Sequence, residues 1–415
     1  MARTLLEKII ERSVVYRDAN YAIIDVDLLM GHDGTASLIV DRFLAAEMCV
    51  WEREKVFIVF DHFSPPATVE RAGIQRKLLD FVCDQELPFA LNEGICHQLL
   101  LEDPRCAPGK VVIGADSHST TVGALGAFAF GIGATDFLHI LRSGKVWLRV
   151  PDVVRVELRG CKQHHILGKD LILHISSILR DCDLTYTVLE FVDRTDDGVT
   201  MDSRATMCNM VVDIGAKAGM FVPDGVTAEH CAKYGQAFEP LYPDADALYT
   251  RRVEIDVGTV DSMVSLPHDP RNVGRLKDMT SDIPIHQVFV GSCTGGRVED
   301  ASAMVEVAER FTPLRRLKKI FIPASNRIFS DISATGVLSR LLSLGVAVPN
   351  PSCGPCCNID KGLLADGENC VSTSSRNFQG RMGSALSSVY LASSYTAAAS
   401  MHTGRLTDYG DLPNS

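Results

Sequence analysis

Three cysteines have the residue type and spacing to hold a metal centre. Cys293 lies in Gly-Ser-Cys-Thr-Gly-Gly-Arg, and Cys353 and Cys356 lie in Pro-Ser-Cys-Gly-Pro-Cys. Soft thiolates favour iron–sulfur clusters, zinc or copper(I) over hard cations. A cubane cluster held by only three thiolates would keep one iron open to water or substrate, where it could act as a Lewis acid. The three cysteines therefore predict a cluster that takes part in catalysis.

The same cysteines allow two other interpretations. Cys-Gly-Pro-Cys also occurs in thiol oxidoreductases, where a helix N-terminus lowers a thiol pKa, but that function would leave Cys293 without a role. A structural zinc site usually has four ligands, and the sequence offers no second pair or nearby histidine to complete one. Cys357 competes with Cys356 as a ligand. Because adjacent residues point in different directions, the Cys-x-x-Cys spacing favours Cys353 and Cys356.

Aspartate and histidine residues follow two apolar segments that predict buried parallel strands, Val56–Phe60 and Val111–Gly114. In open α/β sheets, ligands bind at the carboxyl ends of the strands. Carboxylate–imidazole pairs at that edge can carry protons or donate hydrogen bonds. A single histidine there is often structural, so it is the grouping that indicates function. The grouped residues are Asp61, His62, His97, Asp116 and His118.

Two arginines, Arg376 and Arg381, lie in the polar, glycine-bounded segment Ser-Thr-Ser-Ser-Arg-Asn-Phe-Gln-Gly-Arg-Met-Gly. A guanidinium group can bind a carboxylate through two parallel hydrogen bonds, which suits a polycarboxylate substrate. A solvated surface loop is the alternative interpretation of this segment.

The composition predicts an α/β fold. The 415-residue chain is 46% hydrophobic, contains 32 glycines, and alternates strand-like with helix-like segments. The pattern breaks near residue 150 and again in a proline-punctuated loop that begins near residue 265. We therefore expect three α/β domains, at residues 1–150, 151–264 and 283–415, the last of which carries the cluster cysteines.

Charge and cysteine usage narrow the class of protein further. The net charge of −11 disfavours nucleic-acid binding, which depends on Lys and Arg neutralising phosphates. No apolar run approaches membrane-spanning length, and acidic residues at the start of the chain indicate an amphipathic helix and not a secretory signal. The thirteen cysteines are odd in number and scattered. We therefore expect reduced thiols, a cytoplasmic location, and neither a nucleic-acid nor a membrane partner.

Taken in order, the motifs resemble those of the aconitase superfamily. They are Asp-Ser-His with its glycine run, Gly-Ser-Cys-Thr, Cys-Gly-Pro-Cys, and Ser-Thr-Ser-x-Arg-Asn-Phe-x-Gly-Arg, and the similarity extends from His32 to Ser393. The length, and Glu-Gly-Ile-Cys-His-Gln around His97, are similar to the separate large subunits of the 3-isopropylmalate dehydratase and homoaconitase type. The resemblance implies a three-domain α/β core, with mostly parallel sheets around a central iron–sulfur cleft and without the swivel domain.

The resemblance also implies roles for individual residues. A [4Fe–4S] cluster, one per subunit, would be held by Cys293, Cys353 and Cys356. The catalytic residues around the leaving hydroxyl and the open iron would be Asp61, His62, His97, Asp116 and His118, with Glu190 as a further acid. Substrate would be bound by His32, Ser117, Arg376 and Arg381. The family's serine base lies on a swivelling domain, which implies a small swivel-domain subunit as partner in a heterodimer or heterotetramer.

The implied reaction is the reversible dehydration and rehydration of a hydroxy di- or tricarboxylate. We expect 3-isopropylmalate, in leucine biosynthesis, with homocitrate, methylmalate or another substituted malate as alternatives. Three departures from the family pattern bear on the substrate: Gly295 and Ser375 each replace an asparagine, and residues 357–360 replace a small, glycine-rich stretch. An iron-sensing regulator and a thiol oxidoreductase are the competing classes, and the Asp/His sites weigh against both.

Overall fold

The computed structural model describes residues 2–280 and 282–413. Two compact units make up this part of the chain. The first runs to residue 159 and includes residues 183–194 and 198–255; the second includes residues 160–182, 195–197 and the chain from residue 256 onward. The three domains expected from the sequence remain a prediction, and Met1, Asn414 and Ser415 at their outer ends lie outside the described residues.

Strands and helices alternate along the chain. The strands are β1 (Val14–Asp18), β2 (Tyr21–Asp25), β3 (Leu28–His32), β4 (Val56–Phe60), β5 (Phe89–Leu91), β6 (Val111–Gly114), β7 (Phe128–Gly131), β8 (Lys145–Arg149), β9 (Asp152–Gly160), β10 (Thr187–Thr195), β11 (Ala218–Phe221), β12 (Arg251–Asp256), β13 (Met263–Ser265), β14 (Val273–Arg275), β15 (Gln287–Val290), β16 (Lys318–Phe321), β17 (Asn369–Ser372) and β18 (Ser388–Ala392). The helices are α1 (Leu5–Ser13), α2 (Val40–Ala45), α3 (Val69–Asp84), α4 (Cys96–Glu102), α5 (Ala134–Ser143), α6 (Gly168–Ile178), α7 (Met201–Met210), α8 (Gly225–Tyr234), α9 (Val298–Arg310), α10 (Asn326–Ala334), α11 (Val337–Ser343) and α12 (Ser394–Thr403).

A five-stranded parallel sheet in the first unit has the order β5-β4-β3-β6-β7. Its strands are apolar because both faces are covered: all five residues of β3 and all four of β6 are buried. The strands β4 and β6 have the bounds expected from the sequence. The same unit has an antiparallel sheet of order β1-β2-β8 and a four-stranded sheet of order β11-β10-β9-β12.

The second unit is built on a six-stranded sheet of order β14-β13-β18-β17-β15-β16. From β18 to β16 the strands are parallel, whereas β13 and β14 add antiparallel pairs at one side. The fold is thus mixed α/β with parallel sheets, as expected. Within the described ranges, no helix is both long and apolar enough to cross a membrane.

Candidate active site

The Asp/His residues of the first unit meet because neighbouring parallel strands end at one edge of the five-stranded sheet. His32 is the last residue of β3, and Asp61 directly follows β4. Asp116 follows β6 and caps a 3-10 helix, Ser117–Leu125, by accepting a hydrogen bond from the backbone of His118. His97 lies in α4, which follows β5. The carboxyl-edge rule for parallel sheets therefore accounts for the grouping.

One half of this edge is formed by His32, Asp33, Asp61 and His62. His62 Nδ1 lies 2.8 Å from Asp61 Oδ1, and the rings of His32 and His62 stack with centroids 4.0 Å apart. The other Asp61 oxygen accepts a hydrogen bond of 2.7 Å from the backbone N–H of Cys96. Each carboxylate oxygen of Asp61 thus has a donor, and the pair is held in a fixed orientation.

Asp116 connects that half to His97 and His118. Its Oδ1 lies 3.0 Å from His97 Nε2 and 3.5 Å from His118 Nδ1, and its Oδ2 lies 3.6 Å from His32 Nε2. Possible ligand atoms of His97, Asp116 and His118 lie within 4.8 Å of one another, as do those of the first group, so each group could also hold a metal ion. One carboxylate therefore faces three imidazoles, an arrangement that can store and move a proton.

The pKa values along this edge diverge. Burial, together with the charge of His62, lowers the pKa of His32 to about 4, so this ring is neutral at pH 7. Burial opposes ionisation of Asp61 and Asp116, but the adjacent imidazoles outweigh it: the pKa of Asp61 falls to about 2 and that of Asp116 well below its usual value. Titratable groups whose environments push their pKa values apart are typical of acid–base sites.

Two aspartates that contact this group of residues were missed by the sequence reasoning. Asp33 is fully buried, accepts hydrogen bonds from the backbone of His62 and Phe63, and has a pKa raised to about 6 by burial and by the charge of Asp61. The sequence could have indicated Asp33, because it directly follows β3 just as Asp61 directly follows β4. Asp213 Oδ2 lies 3.2 Å from His118 Nε2. It lies in a turn beyond α7, where no local pattern marks it.

Glu190 has different surroundings. It is buried in β10, and its two oxygens accept hydrogen bonds from the backbone N–H of Leu5, at 3.0 Å, and from the hydroxyl of Tyr249, at 2.5 Å. Burial raises its pKa, although these hydrogen bonds act in the opposite direction. Leu5 begins α1, whose first N–H groups have no partner within the helix. The contacts thus tie Glu190 to α1; its catalytic role remains a prediction.

The second unit holds the three cysteines. Cys293 follows β15, Cys353 directly precedes a short 3-10 helix, Gly354–Cys357, and Cys356 lies within that helix. All three are buried, at 5%, 7% and 3% exposure. The pKa of the Cys356 thiol is raised well above its usual value, first by a hydrogen bond with Cys357 and second by burial. The negative charge of Cys293, when that thiol is ionised, raises it further. Three buried thiols are a donor set that fits a cluster held by three thiolates.

Arg381 lies beside these thiols. Its Nη2 is 3.4 Å from Cys357 Sγ. Burial would lower its pKa, but the neighbouring Cys356, Cys357 and Cys353 raise it above its usual value. Its Nε is buried and has no hydrogen-bond partner among the described residues. Such a donor is costly unless a ligand uses it, so a carboxylate from a substrate would fit here.

Arg376 follows β17, which is the parallel neighbour of β15, so Arg376 and Cys293 come from adjacent strand ends. Arg376 is half-buried, and its backbone carbonyl accepts a hydrogen bond from Ser374 Oγ at 3.5 Å. This order of strands explains how residues far apart in the sequence reach one edge of the second unit.

The departure at position 295 has a structural basis. A Cβ added at Gly295 would overlap Oγ1 of Thr373. That oxygen accepts a hydrogen bond of 2.9 Å from the N–H of Gly291. A side chain at position 295 would therefore displace a buried threonine. Ser375 is buried, and its hydroxyl has no hydrogen-bond partner among the described residues. Nothing in the described residues explains the serine at position 375.

The chain belongs to the aconitase family. A family model described as aconitase family (aconitate hydratase) matches residues 7–404. The fold is similar to that of a crystal structure of aconitase X in its holo-form from Thermococcus kodakaraensis, with a TM-score of 0.51, 13% identity and coverage of 89% of each chain. At that identity, the likeness concerns the fold alone.

Curated relatives place the chain among large subunits. It is 40% identical over 390 residues to a probable methanogen homoaconitase large subunit from Methanosarcina mazei, covering 92% of this chain and 98% of the relative. It is 39% identical to 3-isopropylmalate dehydratase large subunit 1 from Methanopyrus kandleri, covering 98% and 99%. It is 37% identical to the 2,3-dimethylmalate dehydratase large subunit from Eubacterium barkeri, covering 94% of each.

The chain is therefore a hydro-lyase of the 3-isopropylmalate dehydratase and homoaconitase large-subunit type. The cofactor of this family is a [4Fe–4S] cluster, which agrees with the donor set of three buried thiols. A thiol oxidoreductase, one of the competing classes, does not agree with this membership.

Proposed function

We propose that this chain is the catalytic, cluster-binding subunit of a substituted-malate dehydratase, that its substrate is 3-isopropylmalate, in leucine biosynthesis, and that it acts with a small subunit. The observation that supports this most is Asp116, whose carboxylate faces His97, His118 and His32 at the carboxyl edge of a parallel sheet. Hydroxide is a poor leaving group. A dehydratase therefore needs an acid that protonates the hydroxyl as it departs.

The protein residues have separate tasks in this proposal. The cluster, held by Cys293, Cys353 and Cys356, supplies Lewis-acid chemistry at the leaving hydroxyl when it is bound. His97 and His118 carry the proton, and the ionised carboxylate of Asp116 faces both rings and orients them. Asp61 orients the His62 ring through their hydrogen bond of 2.8 Å. His32, neutral at pH 7, donates or accepts a hydrogen bond without adding charge.

Arg381 is proposed to bind a substrate carboxylate. Its Nη2 donates to Cys357, which holds the guanidinium in place, while the buried Nε remains available. Arg376 and Ser117 would bind the other polar groups of the substrate. A substrate with at least two carboxylates fits two arginines.

Arg381→Lys is expected to lower kcat/KM by about 10- to 100-fold, because an ammonium group cannot make the bidentate contact that a guanidinium makes. Steady-state kinetics on the cluster-loaded enzyme would measure this loss. Thermal midpoint and iron content should stay close to wild type. As a control, Arg275→Lys changes an exposed arginine that pairs with Asp278 and should leave kinetics unaltered. A normal kcat/KM in Arg381→Lys would show that Arg381 does not bind the substrate and has only a structural role.

The relatives support the proposed small subunit, because they are named as large subunits. The chain covers 98% of the Methanosarcina protein and 99% of the Methanopyrus protein. Apolar side chains on either side of Arg381 in the sequence also favour a partner. Phe378 is 48% exposed and Leu386 is 69% exposed. A subunit that covers them would exclude water from the substrate and bring the base that removes its carbon-bound proton.

The test is an anaerobic activity screen with and without the small subunit encoded in the same genome. Substrates are 3-isopropylmalate, homocitrate, 2,3-dimethylmalate and 2-methylmalate at equal concentrations. We expect turnover of 3-isopropylmalate to exceed that of the others, and to appear only when the two subunits are mixed. Full turnover by the chain alone would refute the two-subunit proposal. Preferential turnover of homocitrate, one of the alternative substrates, would refute the substrate assignment.

A further inference from the structure

A cavity of about 410 Å³ lies in the first unit beside the turn that carries Asp116 and His118. Ser117 belongs both to that turn and to the cavity lining. The remaining lining comes from β7, α5, β8 and the residues next to β10 and β11. It includes Asp136 and His139 of α5, but none of the Asp/His residues described above at the carboxyl edge of the five-stranded sheet. Its apolar walls are formed by Phe130, Ile132, Ile140, Val146, Trp147 and Tyr186.

Lys217 places a positive charge in this wall. Its Nζ lies 4.1 Å from the centre of the Phe130 ring and 4.7 Å from the centre of the Tyr186 ring. Within the part of the chain that the structure describes, Lys217 makes no ion pair. The two rings stabilise the ammonium by cation–π interaction but do not neutralise it. A half-buried ammonium that makes no ion pair, beside an apolar cavity, favours an anionic ligand.

The position of the Tyr186 ring is well defined. Its hydroxyl accepts a hydrogen bond of 3.2 Å from the backbone N–H of Arg149, whose guanidinium also lies 4.7 Å from the ring centre. Tyr186 itself has a positive φ of 60°, which is uncommon for a residue with a side chain and needs support from its surroundings. The backbone N–H of Lys217 donates to Thr187, so Lys217 is fixed relative to this ring. The cavity wall is therefore preorganised.

Asp136 adds a negative charge to the cavity lining. It lies in the first turn of α5, is exposed, and lines the same cavity. Burial lowers the pKa of Lys217 to about 8, while the charge of Asp136 acts to raise it, so the ammonium is mostly protonated at neutral pH. A ligand with one carboxylate can pair with Lys217. A second carboxylate would be repelled by Asp136.

We propose that this cavity binds a small monocarboxylate with an apolar body, its carboxylate on Lys217 and its carbon chain against Phe130, Tyr186 and Trp147. This ligand class differs from the hydroxy di- and tricarboxylates of the catalytic site. The inference does not depend on which substituted malate is the substrate.

Isothermal titration calorimetry of the cluster-loaded chain with hexanoate tests the proposal. We expect one site, with binding weakened about tenfold or more in Lys217→Met, which keeps the apolar stem but removes the charge. Lys77→Met is the matched control: it removes a surface ammonium that pairs with Asp41 and should leave the affinity unchanged. Absence of hexanoate binding to the wild type, or equal affinity in Lys217→Met, would overturn the proposal.

Two further measurements separate this cavity from the catalytic site and remain informative if Lys217→Met does not fold. Asp136→Asn is expected to strengthen binding of adipate, a dicarboxylate of the same carbon count, while changing hexanoate affinity little. Saturating 3-isopropylmalate should not displace hexanoate from the wild type. Displacement, or adipate affinity that stays the same in Asp136→Asn, would contradict the assignment.

Discussion

Replacing any one of Cys293, Cys353 and Cys356 by serine is expected to remove the broad visible absorbance of thiolate–iron charge transfer and to abolish turnover. A serine oxygen is a harder and weaker ligand for iron than a thiolate, and with only three protein ligands a cluster cannot spare one. All three thiols are buried, so water would not easily replace the lost ligand. The measurement is the absorbance spectrum and iron content of anaerobically purified variants.

Cys357→Ser is the matched control for this series. Cys357 directly follows Cys356, but it is only half-buried and its sulfur accepts a hydrogen bond from Arg381. A serine hydroxyl can accept the same hydrogen bond, so the cluster should be retained. Loss of the cluster in Cys357→Ser together with its survival in Cys356→Ser would show that the ligand assignment is wrong.

The parts of the fold that the sequence predicts are local. Val56–Phe60 and Val111–Gly114 form strands with the expected bounds, because continuous apolar segments of this length are stable when buried on both faces. The amphipathic start of the chain forms α1, with Thr4 and Glu7 in a capping box. The position of Asp61 and Asp116 at strand ends follows directly from these two strands.

The other features of the fold and the site depend on which strands and helices pack next to one another. The order β5-β4-β3-β6-β7 brings His97 to Asp116, and no local pattern contains that order. Asp213 reaches His118 from a turn 95 residues away in the sequence. Likewise, the sequence around Glu190 shows only an acid in an apolar strand, whereas in the fold the backbone N–H of Leu5 in α1 donates a hydrogen bond to it. Contacts over such distances are fixed by packing.

Asp116→Asn is expected to lower kcat by about 10²- to 10⁴-fold, the range by which a positioned acid or base accelerates a reaction. The amide still accepts a hydrogen bond, but it cannot stabilise an imidazolium at His97 or His118. The variant therefore lacks the negative charge that faces the two proton-carrying rings. The pH profile of kcat should therefore change as well as its magnitude, which a purely structural role would not cause.

Stability gives a second, independent readout of the same variant. The pKa of Asp116 in the folded chain is well below its usual value of about 3.9, because the imidazoles outweigh the effect of burial. A carboxyl with a depressed pKa contributes stability above its unfolded pKa, and that contribution is lost as the pH falls through the folded pKa. The thermal midpoint of Asp116→Asn should thus be lower than that of wild type at neutral pH, and the difference should shrink on acidification.

Asp27→Asn is the control for both measurements, because Asp27 lies at the opposite edge of the same sheet. Its two oxygens accept hydrogen bonds from the backbone N–H of Val111 and from Lys110, at the start of β6. In open α/β sheets ligands bind at the carboxyl ends of the strands, so Asp27, at the amino ends, lies away from the site. Asp27→Asn should therefore lose some stability at unchanged kcat. A kcat for Asp116→Asn within about twofold of wild type, with an unaltered pH profile, would show that Asp116 is not part of the acid–base group.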